Sequence, residues 1–176
     1  TGTLPAEYSN LVSVLFIETS GNLLTGTLPV SWSTLPAIQE IHVDTSYLVG
    51  SIPPEYCNLP VLQLLSIYKN LLSGSIPQNI AALTSLQYIE FDYNLFTGSI
   101  PLSVGTIPLL QSLEINNNFI TGSLPVSLNK LPKLTNLLVQ SNRMTGSLNG
   151  TFDPTVHTLL STVQVSNNDF TGTLPS

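Results

Sequence analysis

Leu86-Gln87-Tyr88-Ile89-Glu90-Phe91-Asp92-Tyr93-Asn94-Leu95-Phe96-Thr97-Gly98-Ser99-Ile100-Pro101 carries the grammar of the whole chain. Its closing phrase, Thr-Gly-Ser-Ile-Pro, has counterparts at 1–5, 25–29, 49–53, 73–77, 121–125, 145–149 and 171–175. The glycines Gly2, Gly26, Gly50, Gly74, Gly98, Gly122 and Gly146 stand 24 residues apart, and Gly172 follows after 26. A fixed period of this size marks a repeat solenoid. A solenoid offers a long exposed surface rather than a deep pocket.

Each repeat is numbered here 1–24 from the residue before its glycine. Position 17 holds Ile17, Ile41, Leu65, Ile89, Leu113, Leu137 and Val163, and position 19 holds Thr19, Val43, Ile67, Phe91, Ile115, Val139 and Val165. Both alternate with polar neighbours, the signature of a strand with one buried face. Positions 8, 11 and 14, such as Ile80, Leu83 and Leu86, are apolar every third residue. That spacing suits a 3₁₀ turn, and the proline at position 5 is placed to start it. Position 22 is Asn22, Ser46, Asn70, Asn94, Asn118, Asn142 and Asn168. An amide both donates and accepts, so this column reads as a buried ladder joining each coil to the next. The glycine allows positive φ or close backbone approach at the corner after it.

This pattern, L-x-x-L-x-L-x-x-N-x-L-T-G-x-L/I-P, resembles the leucine-rich repeat family in its 24-residue plant-type subclass, across all 176 residues. The resemblance implies a right-handed, curved α/β-type solenoid, with a parallel sheet on the concave face and 3₁₀ turns on the convex one. Repeats start at 1, 25, 49, 73, 97, 121 and 145, with the start of an eighth at 171. Pro5–Leu11, Pro29–Leu35 and Pro53–Leu59, with an aromatic at position 8, resemble kinetoplastid promastigote surface antigens. Repeats with Ile80, Val104 and Leu128 there look more like plant receptor-kinase ectodomains or polygalacturonase inhibitors. Both groups are extracellular recognition proteins, which implies no active site and no cofactor.

Four basic and ten acidic residues leave a net charge of −6, and only 8% of residues are charged while 42% are hydrophobic. This composition excludes an acidic disordered tail. No basic stripe exists to neutralise phosphates, so nucleic acid is not an expected partner. Apolar stretches are too short to span a bilayer, so membrane attachment is expected only through an anchor outside this sequence. No polar capping repeat is visible and the one methionine is Met144, so the chain reads as a single solenoid segment, 1–176, of a longer protein. Its uncapped ends, with Leu4 and Leu11 at one and Val165 and Phe170 at the other, are expected to be apolar and prone to self-association.

The lone Cys57 sits at position 9, where a small side chain is wanted, and reads as a packed free thiol. The sequon Asn149-Gly150-Thr151 lies in the longer repeat, where a loop on the convex side is expected, and is the candidate glycosylation site. Positions 1 and 3 are hydroxyl residues throughout except Val49. These columns read as β-propensity and solubility; O-glycosylation, lateral packing into a coat or filament, and ice binding are their functional alternatives.

Binding residues are expected at positions 16, 18 and 20, which point out of the concave sheet, and at flanking position 21. In the middle repeats these bring together Leu64, Tyr68, Tyr88 and Tyr93 with Glu90, Asp92 and Glu114. Aromatics ringed by polar groups mark a binding hot spot. Glu18, His42 and Ser66 fall in one column, the residue order of a hydrolase triad, but no nucleophile elbow or oxyanion donor accompanies them. Glu18, Glu40, His42 and Asp44 are spaced widely for a shared metal, and no metal site is expected there. The expected function is non-enzymatic recognition, extracellular or at the cell surface, of a protein with a basic patch or of a glycan. A structural role in a surface coat is the alternative.

Overall fold

The computed structural model describes residues 1–172. The last three residues of the phrase at 171–175 lie outside that range. Seven parallel strands form the concave sheet in sequential order: β1 (Phe16–Glu18), β2 (Glu40–His42), β3 (Leu64–Ser66), β4 (Tyr88–Glu90), β5 (Ser112–Glu114), β6 (Asn136–Leu138) and β7 (Thr162–Gln164). Register follows the repeat without slippage: Phe16 opposes Glu40, Glu40 opposes Leu64, and so on to Asn136 against Thr162. The middle residue of each strand points inward. Ile17, Ile41, Leu65, Ile89, Leu113 and Leu137 are all buried, whereas Val163 on the last strand is 42% exposed.

The other side of each coil is short and tight. Strands of two to four residues, such as Val49–Gly50, Leu71–Gly74 and Leu95–Phe96, form small separate sheets. 3₁₀ helices follow at Ala6–Asn10, Val30–Thr34, Pro54–Asn58, Ile80–Ala82, Leu102–Thr106 and Val126–Lys130. Five of the six are entered from Pro5, Pro29, Pro53, Pro101 or Pro125, whose fixed φ is already near-helical. Position 8 fills the space beneath them. Trp32 Nε1 donates to the Pro5 carbonyl at 2.9 Å, and Tyr56 OH to the Pro29 carbonyl at 3.1 Å. A buried aromatic thus satisfies a backbone acceptor one coil back. The need for a small residue at position 9 is strictest at Gly105, where a Cβ would lie 2.3 Å from the Ser127 backbone. Cys57 is buried at this position, and burial pushes its thiol up to about 11.

The asparagine ladder knits the coils together. Asn94 Nδ2 donates to the Ile67, Phe91 and Asp92 carbonyls, and its Oδ1 accepts from Leu72 N–H at 3.0 Å. Asn70, Asn118 and Asn142 repeat the set. Besides its own coil, each asparagine reaches back to the preceding one, not forward to the next. Ser46 is too short for this and reaches only the Asn22 carbonyl at 3.2 Å. Just before the ladder, position 21 adopts positive φ in every coil: 68° at Gly21, then 51–56° at Thr45, Lys69, Tyr93, Asn117, Ser141 and Asn167. This left-handed residue turns the chain off the strand so that the asparagine faces inward.

Three details depart from the expectations. Leu4 is buried at 4% exposure, because the second coil covers it, so the apolar N-terminal edge is instead Leu11, Val12, Leu15 and Phe16. At the other end Val165 and Phe170 are half-buried against the core. The longer repeat does not simply protrude. Asn149 is exposed in a turn with Gly150, but Thr151 is 1% exposed and the segment folds back. There His157 takes a slot that leucine or, at Ile107, isoleucine fills elsewhere. It donates from Nε2 to the Leu128 carbonyl at 2.9 Å and accepts Asp153 N–H at Nδ1.

Asn94→Ala strands the Leu72 N–H in the middle of the stack and takes from the Ile67 and Phe91 carbonyls one of the two asparagine donors each holds. It is expected to lower unfolding free energy by about 1–3 kcal/mol, measured by urea denaturation, whereas the same change at the exposed Asn22 should cost far less.

Candidate functional site

Three rows of side chains line the middle of the concave face. Leu64, Tyr88 and Ser112 are in register in the first row, and Ser66, Glu90 and Glu114 in the second. Tyr68, Asp92 and Asn116 follow two residues further along each strand. The expected patch residues therefore fall on adjacent strands, as Leu64, Tyr88, Glu90 and Glu114, or just past their ends, as Tyr68, Asp92 and Tyr93. Six of them are half-buried against one another, and Tyr93 is 50% exposed. Tyr93 does not lie on the face proper. Its positive φ turns it to the margin, where Lys69 Nζ lies 5.9 Å from its ring and 5.7 Å from that of Tyr68. Tyr88 OH is held by Gln111 Oε1 at 3.0 Å, in a chain that runs on to Gln87 and Gln63.

The electrostatics are one-sided. Among the described residues no lysine or arginine pairs with a carboxylate, and the one close contact of this kind is His42 Nε2 to Glu40 Oε2 at 2.8 Å, an ion pair only when the imidazole is protonated. Glu90, Asp92 and Glu114 therefore have no cation within pairing distance. Glu114 accepts the Ser112 hydroxyl at 2.9 Å. The Asp92 carboxyl is pushed up to about 6 by burial, with Glu114 and Glu90 adding repulsion. Glu90 is raised too, first by burial and then by Glu114, while the Ser66 hydroxyl pulls it back. Asp44, 5% exposed, is supported by hydroxyls from Ser20, Thr45 and Ser66. Ser66 is fully buried and donates to Asp44, while the His42 ring is engaged by Glu40, so the column of Glu18, His42 and Ser66 does not assemble as a triad. No group of three His, Cys, Asp or Glu with metal-ligand geometry occurs among the described residues.

The hydroxyl columns are partly absorbed by structure. Thr25, Ser73, Thr97 and Thr121 donate to the carbonyls of Gly2, Gly50, Gly74 and Gly98 in the preceding coil. Position 3 packs beneath the next glycine, where a Cβ on Gly26 would meet Thr3 Cγ2 at 3.0 Å. Sequence reasoning missed the column beside them. Leu23, Tyr47, Leu71, Leu95 and Phe119 at position 23 are all exposed, and Arg143 ends the stripe by stacking 4.7 Å from the Phe119 ring. The signal was an apolar residue directly after the ladder asparagine, masked by the buried apolar residue that follows it.

A family model described as Leucine Rich Repeat matches residues 109–131. No curated protein is matched by the sequence at a significant level. Among solved structures, the plant peptide hormone receptor RGFR1 in complex with RGF2 is 32% identical, with a TM-score of 0.91, over 99% of this chain. The Arabidopsis receptor kinase HAESA ectodomain, in complex with an N-terminally extended IDA peptide hormone ligand, is 27% identical with a TM-score of 0.89 over 96% of this chain. This chain spans 28% of the length of each. A plant ice-binding protein, 22% identical with a TM-score of 0.73, is matched over all of this chain and 71% of its own; that likeness is one of fold alone. No helix among the described residues is long and apolar enough to cross a membrane.

The acidic face makes a prediction about pH. Asp92, surrounded by Glu90, Glu114, Asp44, Lys69 and Tyr68, binds its proton more tightly folded than at its ordinary value of 3.8. Its protonated form is therefore favoured by folding, and stability falls as pH rises from about 4 to about 6. Melting temperature should be higher at pH 5 than at pH 7.5. Asp92→Asn should raise the value at pH 7.5 and flatten the difference; an unchanged profile would contradict this reading of the face.

Proposed function

The chain belongs to the leucine-rich repeat family in its plant-type class, and on that premise we propose that it is a recognition module that binds a protein or peptide segment on its concave face. The observation that carries this is the central patch, where Tyr68 and Tyr88 stand beside Glu90, Asp92 and Glu114, carboxylates with which no described cation pairs directly. The receptors it resembles bind peptide hormones, and this supports a peptide-like ligand. The charge calls for a basic partner, with a polyhydroxy glycan stacking on the tyrosines as the alternative ligand. We read the role as non-enzymatic, since Ser66 donates to Asp44 and His42 is engaged by Glu40, which leaves no activated nucleophile in that column. We place the module outside the cell or at its surface, as one solenoid segment of a longer protein that supplies capping repeats and any anchor, with Asn149 as a glycan site.

A second reading is favoured by one observation. The exposed apolar stripe at position 23, flanked by hydroxyl columns, fits side-by-side packing in a surface coat. Self-association through the open edge at Leu11, Val12, Leu15 and Phe16 belongs to the same family of contacts.

A random peptide library panned against the chain separates the two. Selected peptides should be basic, and Tyr68→Ala and Tyr88→Ala should each weaken them by about 1–3 kcal/mol without changing the melting temperature much. Glu90→Gln should slow association and flatten its salt dependence. Binding that ignores these changes but is abolished by Leu71→Ser and Leu95→Ser would overturn the concave-face reading. Sedimentation of the free chain is expected to show reversible oligomers that Val12→Glu and Phe16→Glu suppress.

A further inference from the structure

The sequon of the last coil shows one of the two groups that define it and hides the other. Asn149 stands where every other coil has proline, and no 3₁₀ helix follows it among the described residues. The chain makes a turn instead, closed by Thr151 N–H donating to the Leu148 carbonyl at 3.3 Å, with Gly150 at φ 73°. Asn149 is exposed in this turn. Thr151 is the opposite: it is 1% exposed, and its buried Oγ1 has no hydrogen-bond partner. A buried hydroxyl without a partner destabilises a fold, and valine would fill the same space without that cost. The closed segment therefore makes no use of this hydroxyl. A glycosylation acceptor does, because the requirement for Ser or Thr two residues after the asparagine means that the transferring enzyme reads it.

The segment is held shut by a local lock. Leu148 and Phe152, on either side of the turn in sequence, pack against the core, and the Phe152 ring meets that of His157 edge-on at 5.9 Å. Both nitrogens of His157 are engaged, by the Leu128 carbonyl and the Asp153 N–H. Asp153 in turn accepts the N–H groups of Thr155, Val156 and His157. We propose that Asn149 accepts an oligosaccharide only while residues 149–157 stand open, so that closure of this segment ends its life as an acceptor; this rests on the reading of Asn149 as a glycan site. In the transfer, the bond between the anomeric carbon and the pyrophosphate of a lipid-linked donor breaks. A bond from that carbon to Asn149 Nδ2 forms, Nδ2 gives up a proton, and the lipid pyrophosphate leaves. In the open segment Thr151 Oγ1 is free to meet the enzyme; in the closed one the amide is reachable and the hydroxyl is not. The attached sugar leaves closure possible, because Asn149 is exposed in the closed form. Occupancy is thus set by a race between transfer and folding of the last coil.

The test compares nascent with folded chain. The chain, fused behind a cleavable secretory signal, is translated in the presence of microsomes. Separately, purified folded chain is incubated with the same transferase in detergent and a lipid-linked oligosaccharide, and glycan at Asn149 is read by mass spectrometry. The nascent chain is expected to be modified, and the folded chain at least about tenfold more slowly, since only its opened fraction is an acceptor. His157→Ala should speed modification of the folded chain in step with faster amide hydrogen exchange across 149–157; if that variant does not fold, the contrast between nascent and folded parent chain decides alone. Thr151→Val should abolish modification and raise the melting temperature, whereas Thr151→Ser should keep the modification. Equal rates for nascent and folded chain, or a His157→Ala variant that exchanges faster but is modified no faster, would overturn the gating and leave Asn149 standing as a glycan site. No glycan on either form would overturn both.

Discussion

The hydrogen bonds of one buried amide per coil hold this structure in register. Asn70, Asn94, Asn118 and Asn142 each tie carbonyls of their own coil to a carbonyl and an N–H of the coil before. Each such N–H would be stranded away from water without its amide oxygen, and the Ile67, Phe91 and Ile115 carbonyls each hold donors from two successive asparagines. The ladder therefore sets the spacing of the coils as well as their cohesion. The concave sheet, the small strands opposite and the 3₁₀ turns are placed by the same repeat, and every exposed side chain inherits a column from it.

A face built this way can concentrate one kind of chemistry, because equal positions lie next to one another. Glu90 and Glu114 are in register on adjacent strands, an arrangement that destabilises a sheet on its own. Asp92 adds a third carboxylate, whose hold on its proton is raised by burial and by those two charges. The fold tolerates the cluster with the Ser112 hydroxyl on Glu114, and no described cation pairs with it directly. The hydroxyl columns opposite behave differently, since several donate to glycine carbonyls one coil back. Partnered groups on one side and unpartnered groups on the other are what separate scaffold from candidate site.

Much of this was legible in the residues. The alternation at Ile89 and Phe91, the proline before each turn, and the asparagine column fixed strand, turn and ladder, since each follows from a one-dimensional period. The patch residues fell on neighbouring strands for the same reason. What escaped depends on contacts between coils. Tyr93 and Lys69 hold left-handed backbone although neither residue type signals it, and only the turn toward Asn94 and Asn70 demands it. Leu4 was counted as an open edge because burial by the next coil has no local signature. His157 occupies a slot that leucine or isoleucine fills elsewhere, through hydrogen bonds to Leu128 and Asp153, which the irregular spacing of its repeat concealed. The unpartnered hydroxyl of Thr151 emerges only when all its neighbours are known.

The central claim is that ligand is read by the concave face of the middle coils. Amide hydrogen exchange with and without a library-selected peptide tests it most directly, because every coil contributes both faces to one measurement. The account predicts protection confined to 64–69, 88–93 and 112–117, with 71–75 and 95–99 unchanged. Protection of the latter segments, with the concave strands exchanging as in the free chain, would contradict it.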